Sequence, residues 1–351
     1  MQAALNGNIE DKNWKHAAMN AGNLSELYLT LGEVEAAVSS ARQSVDFADR
    51  SGNGFEKEKQ RCKLGNAVLQ SGEIQEAEQL FLEAESMQHK WQQYKYLYSQ
   101  RGFQFCDLLL SQGKVQEVLE RAKQTLEWEI EENWLLDIAL DKLSLGRAYL
   151  LQALTPPLIP PQGGKKSVVP QGGKGAGFPL RRGIKGDVLS QAADYLNQAV
   201  AGLREAGTQD HLPRGLFARA FCYRIQNQFP QAWDDLAEAQ EIAERGEMKL
   251  WLVDYHLDAC RLSLAEGRPE NGDRRPEKAK QHLEEAGKFV EETGYHRRDP
   301  EVELCYAGVF LAEGKKTKAL EYLDKAKKTL DKMGIRMWDW EVRRLEDVLR
   351  G

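Results

Sequence analysis

The sequence predicts an all-α protein: a solenoid of about seven helix-turn-helix units, ended by a C-terminal capping helix. Three observations carry this. Only 11 prolines occur in 351 residues. Six of them (Pro156, Pro157, Pro160, Pro161, Pro170 and Pro179) fall in one short stretch, so the rest of the chain is nearly free of helix breakers. The long segments are built from Ala, Leu, Glu, Gln, Lys and Arg, which give up little conformational freedom on entering a helix. A short pattern also returns every 40 or 41 residues, a period that belongs to stacked repeats.

Bulk properties narrow the class further. The length exceeds one compact core and favours two domains or an elongated array. Lys plus Arg is 48 and Asp plus Glu is 54, a net charge of −6, which leaves no whole-chain footprint for nucleic acid. The apolar fraction of 42% is far from a disordered composition. No apolar run has the length of a membrane span, and the start, MQAALNGNIEDKNW, has neither a basic nor an apolar signal region. Five cysteines, an odd number without a Cys-x-x-Cys, fit a reducing cytoplasm.

The pattern is plainest at Gly72-Glu73-Ile74-Gln75-Glu76-Ala77. It returns as Gly32-Glu33-Val34-Glu35-Ala36-Ala37, as Gly113-Lys114-Val115-Gln116-Glu117-Val118 and as Gly314-Lys315-Lys316-Thr317-Lys318-Ala319. A weaker copy is Asn227-Gln228-Phe229-Pro230-Gln231-Ala232. An apolar segment precedes each copy, and a second follows with small or apolar residues in one helical stripe, such as Ala77, Phe81 and Ala84. Each unit therefore reads helix, tight turn, helix. The units fall near residues 13–50, 55–90, 94–132, 135–206, 210–246, 248–293 and 299–333. The fourth and sixth are interrupted by insertions. Residues 337–350 form the cap, with Trp338, Val342, Leu345 and Leu349 on one side. Helices of about 17 residues are expected, roughly 25 Å long.

The residues Leu64, Gly65, Val68, Gly72, Ala77, Phe81 and Ala84 stand at the spacing of the tetratricopeptide repeat, and the chain resembles that family. The resemblance implies a right-handed α-solenoid whose first helices line a concave groove. The segments NLSELYLTLG, RGFQFCDLLLSQGKVQEVLERAKQTLEW, LDIALDKLSLGRAYLLQAL and EETGYHRRDPEVE look like the C-terminal sensor arrays of bacterial signalling ATPases of the NACHT or STAND type. That likeness implies ATPase and effector domains N-terminal to the array and covalently linked to it. No nucleotide-binding motif lies in this chain. Residues 1–12 read as the frayed end of an earlier helix and loop, and with no N-terminal cap they suggest the C-terminal part of a longer array.

Residues 155–186 are different material, with eight Gly and six Pro in 32 residues and a duplicated Pro-Gln-Gly-Gly-Lys. The composition predicts a disordered surface insertion. Its Lys165, Lys166, Lys174, Arg181, Arg182 and Lys185 stand without an acid, which leaves open an adaptor that binds nucleic acid through this segment. A P-loop is excluded by spacing, and no strand precedes the glycines.

A search for chemistry finds no enzyme. None of the six histidines sits in an HExxH helix or a zinc-finger spacing. His256 and Cys260, four apart on one helix, supply two of the four ligands a structural zinc needs, and the plainer reading is a packed Cys beside a solvated His. Cys62, Cys106, Cys222, Cys260 and Cys305 all fall on first helices, where a small apolar residue is wanted. No metal or other cofactor is expected. Trp128, Trp134, Trp233 and Trp251 read first as packing residues.

What remains is a surface for a protein or peptide ligand. Matching positions within units places Lys59, Asn66, Arg147, Arg214, Arg224 and Arg261 toward the groove, a row able to grip carboxylates or phosphates. Phe217 and Phe221 interleave there as an apolar anchor. The alternative is long side chains that only solvate an open wall. The family's carboxylate-clamp pattern is not reproduced in full. A second candidate is the loop 294–300, where Gly294, Asp299 and Pro300 suit a helix C-cap, an N-cap and a first helical position. His296, Arg297 and Arg298 have no such local reason to be present.

Overall fold

The computed structural model describes residues 1–92, 94–155, 186–266 and 275–350. Among them it holds sixteen α-helices, one 3-10 turn and no strand. After α1 (Gln2–Glu10), the hairpins are α2 (Trp14–Leu31) with α3 (Val34–Ser51), α4 (Gly54–Gln70) with α5 (Ile74–Gln92), α6 (Ser99–Ser111) with α7 (Val115–Glu132), and α8 (Leu135–Leu154) with α9 (Gly186–Glu205). They continue as α10 (Leu212–Ile225) with α11 (Phe229–Arg245), α12 (Lys249–Ala265) with α13 (Arg275–Thr293), and α14 (Asp299–Ala312) with α15 (Lys316–Met333). The 3-10 turn His296–Arg298 leads into α14, and α16 (Asp339–Arg350) ends the chain. Apart from Thr155 and Gly186, the Gly- and Pro-rich insertion and its basic residues lie outside the described residues.

Each hairpin packs its own two helices together. The first helices then stack on one another from α2 through α14 to α16, as an inner row. The outer helices show why this happens. In α5, Ala77, Phe81 and Ala84 are fully buried on one face, and the opposite face is charged. Gly65 on α4 makes room for the Phe81 ring, whose nearest atoms lie 3.1–3.3 Å from where a Cβ would stand. Gly146 on α8 does the same for Leu196 at 2.7 Å. One apolar core runs through all seven hairpins, and a smaller one, of Leu5 with Ala17, Ala21 and Leu24, seats α1 on α2. The N-terminal residues read as a frayed end thus contribute a packed helix.

The inner row winds tightly enough to meet itself. The bend between α2 and α3 seats on the sixth unit: a Cβ at Gly32 (φ 79°) would stand 2.7 Å from Lys249 and 2.9 Å from Thr293. The next bend seats on the seventh unit: a Cβ at Gly72 (φ 95°) would stand 2.6 Å from Met333. Glycine is required there twice over, by the left-handed backbone and by the approach of another chain segment. The third bend seats at the start of the cap, where the N–H groups of Arg336 and Met337 donate to the Ser111 carbonyl at 2.7 and 3.1 Å. Successive bends thus seat one turn of the superhelix away. The open concave groove expected from the sequence is instead a central cavity. Side chains across this seam account for the difference.

The cap is amphipathic as expected, with Trp338, Val342, Leu345 and Leu349 buried. It also reaches inward, and Trp340 stacks on Phe221 of α10 at 5.8 Å. No helix among the described residues is long and apolar enough to cross a membrane.

Candidate functional site

The winding leaves a central cavity of about 510 Å³. Residues of α2, α4, α6, α8, α10, α12, the 3-10 turn, α14 and the cap all line it. The lining includes amides of α4 and α6 (Asn66, Gln70, Gln100 and Gln104) and aromatic rings from α10, α12 and the cap (Phe217, Trp251 and Trp338). The size and mixed lining are those of a site for a small ligand or a short stretch of chain.

The expected groove residues divide into three groups. Asn66, Arg147, Arg214, Phe217, Phe221 and Arg261 line the cavity. Lys59 lines a separate pocket of about 210 Å³ with Phe55, Lys63 and Arg101. Arg224 is 2% exposed and lines neither; it lies under the cap, over the Phe221 ring at 4.8 Å, with Glu341 and Asp258 near enough to stabilise its charge. Its placement corrects the expectation. The positional match put it on the inner row, but the cap covers that end of the row. Burial lowers its pKa to about 10.

Arg261 is on the cavity wall but already engaged. Its Nη1 lies 2.9 Å from Glu301 and 3.8 Å from Asp258, its Nε 3.3 Å from Glu341, and its guanidinium 4.2 Å from the Trp338 ring centre. It is therefore a structural cross-link between α12, α14 and the cap.

The loop candidate also divides. His296 points outward, half exposed, with Nδ1 3.2 Å from Asp299. Arg297 is buried, and its Nη1 donates to Asp107 Oδ2 at 2.6 Å and to Gln70 Oε1 at 3.3 Å, across the seam. Arg298 pairs with Asp254 at 2.7 Å and with Glu301. So Arg297 and Arg298, without a local reason in the sequence, have a long-range one. Asp299, expected as an N-cap, is the first residue of α14, and Arg298 takes the cap position because the 3-10 turn runs straight into the helix.

Asp107 is the residue that sequence reasoning missed. It accepts from Arg297 at 2.6 Å on one side and from Arg147 Nη2 at 2.6 Å on the other. Burial opposes its charge, but Arg297 and Arg147 hold its carboxyl well below the usual range. A signal was present: Asp107 stands alone in the apolar run from Phe105 to Leu110, and a charge there needs a partner. Trp251, read first as a packing residue, also lines the cavity, as does Trp338 from the apolar side of the cap.

No Ser or Cys is among the described residues that line the cavity. His211 is buried and has its pKa lowered to about 4, by burial and then by Arg214. The five cysteines are free and buried, on first helices as expected. Burial pushes the Cys222 thiol up to about 12, so the reactive thiolate is scarce. Among the described residues no group of three or more His, Cys, Asp or Glu is placed to hold a metal ion. His256 meets His282, Nδ1 to Nδ1 at 3.1 Å, and Cys260 hydrogen-bonds with Cys305.

Compared with known proteins, the chain matches no family model and no curated protein by sequence. Solved structures do match in shape. One is a Rap protein complexed with competence and sporulation factor, at 12% identity and a TM-score of 0.62, over 91% of this chain and 76% of that one. Another is the apo form of RapI, at 14% identity and a TM-score of 0.51, over 88% of this chain and 99% of that one. The likeness establishes a helical-repeat fold of the tetratricopeptide type.

Proposed function

We propose that this chain is a non-catalytic helical-repeat scaffold that takes a short peptide, or an extended segment of a protein, into its central cavity. The cavity carries the reading. It is about 510 Å³, is lined by both amides and aromatic rings, and draws its lining from nearly every repeat. Side-chain amides can satisfy a peptide backbone, and the rings Phe217, Trp251 and Trp338 can hold an apolar side chain. The Rap protein similar in shape was solved complexed with competence and sporulation factor, which supports a ligand-binding use of such a fold.

The finer reading, a sensor array whose ligand biases a linked ATPase, rests on the likeness of the quoted segments to NACHT- and STAND-type arrays. A stand-alone adaptor needs no such linkage. Binding is tested by offering the chain a random pool of four- to six-residue peptides and identifying those retained. Retention of a defined subset that also raises the melting midpoint supports the proposal, and retention of none refutes it. Trp251→Ala is expected to weaken retention at unchanged helical content.

A further inference from the structure

The charges around the cavity do not balance evenly. At the α12–α14 end, each guanidinium has carboxylates: Arg298 pairs with Asp254 and Glu301, and Arg261 with Glu301, Asp258 and Glu341. Near the seam the count differs. Arg147, Arg214 and Arg297 lie close enough to influence one another electrostatically, and Asp107 is the one carboxylate they share. Arg147 and Arg297 both take hydrogen bonds to it. Arg214 takes none. Among the described residues its side chain makes no hydrogen bond and no ion pair, and its buried Nε has no acceptor. Its guanidinium is held by rings, 4.6 Å from the centre of Trp251 and 5.4 Å from that of Phe103. The one carboxylate all three share is thus hydrogen-bonded by two of them, and Arg214 is left without a hydrogen-bonded carboxylate.

An unpartnered guanidinium fixed between two rings on a cavity wall loses little entropy when it meets an anion, and its planar fork suits a carboxylate. Burial lowers the pKa of Arg214, with Arg147 and Arg297 acting in the same direction, so its charge is one the fold itself leaves under-compensated. The same wall carries Phe217, whose ring lies 6.3 Å from that of Trp251.

We infer that Arg214 is the specificity-determining residue of the cavity, selecting peptides that place a carboxylate against it beside an apolar side chain on Trp251 and Phe217. This rests on the peptide-binding reading above and adds the chemical class of the ligand. The carboxylate can be the peptide's C-terminus or an Asp or Glu side chain.

Three pools of N-acetylated tetrapeptides test it: one with a free C-terminus and no Asp or Glu, one C-terminally amidated with Asp and Glu allowed, and one amidated without acids. The wild-type chain is expected to retain the first or second pool about tenfold to a hundredfold better than the third, the scale of a hydrogen bond to a charged group. Whichever pool is preferred identifies the source of the carboxylate. Arg214→Gln should abolish that preference, with the helical circular dichroism unchanged. Should Arg214→Gln unfold, Arg214→Lys, which keeps the charge and loses the fork, takes its place and should lose most of the preference. Equal retention of all three pools by the wild-type chain, or a preference that survives the substitution, overturns the inference and leaves the peptide-binding reading standing. Retention of no pool removes both.

Discussion

Closure of the superhelix at Asp107 offers the sharpest test of the structure. Asp107 and Arg297 are 190 residues apart in sequence and joined at 2.6 Å, with side chains 7% and 4% exposed. Asp107→Asn removes the carboxylate and leaves Arg147, Arg214 and Arg297 facing one another with no anion between them. Breaking a buried pair in this way costs about 3–5 kcal/mol. Arg297→Gln is milder, because Asp107 keeps Arg147, and a lost charge-assisted hydrogen bond costs about 1.5–3 kcal/mol. The double variant should cost less than the sum of the two, because the sites are in contact. Urea unfolding followed by circular dichroism measures all three, and small-angle scattering should show the two single variants more expanded. The pH dependence has a fixed sign. A carboxyl held below its ordinary pKa contributes its stability above that value and loses it as pH falls through the depressed one. The gap between wild type and Asp107→Asn should therefore narrow below about pH 4. An Asp107→Asn chain within about 0.5 kcal/mol of wild type at pH 7 would refute the closed superhelix.

Three further outcomes follow from the packing. Glu129 and Asp141 are buried against each other, and burial raises their pKa values to about 10 and about 7. Acids with raised values lose stability as pH climbs above their unfolded values and through the folded ones, so Glu129→Gln should flatten the alkaline fall in the urea midpoint between pH 6 and 9.5. Gly146→Ala would put a methyl 2.7 Å from Leu196 Cγ and 3.1 Å from its backbone nitrogen, and should cost about 1–3 kcal/mol by thermal melting. Trp338→Ala would uncover Arg261 and one wall of the cavity, at about 3–5 kcal/mol in urea.

The hairpins were legible in the sequence because each rests on contacts within some forty residues. Gly32, Gly72, Gly113 and Gly314 mark bends with positive φ, and the stripes beginning at Ala37, Ala77 and Ala319 mark buried faces. Asn66, Arg147, Arg214 and Phe217 reach the cavity because their positions along the inner helices repeat from unit to unit. Arg224 and the seam were not legible. They depend on the superhelical pitch, which accumulates from small rotations between neighbouring units and is written in no local pattern. The contacts that fix it join residues 190, 227 and 258 apart.

The seating of one coil on the next has a further effect on how the chain can vary. An open array can lose or gain a module at either end and keep its interior unchanged. Here Gly32, Gly72 and Gly113 each meet a specific address downstream, so deleting one module would shift all three out of step together. Extra length is tolerated only where it leaves that count intact. The two insertions follow α8 and α12 in the sequence, within modules. The number of modules is thus a fixed circumference, and excision of α10 with α11 should be far more damaging than shortening either insertion.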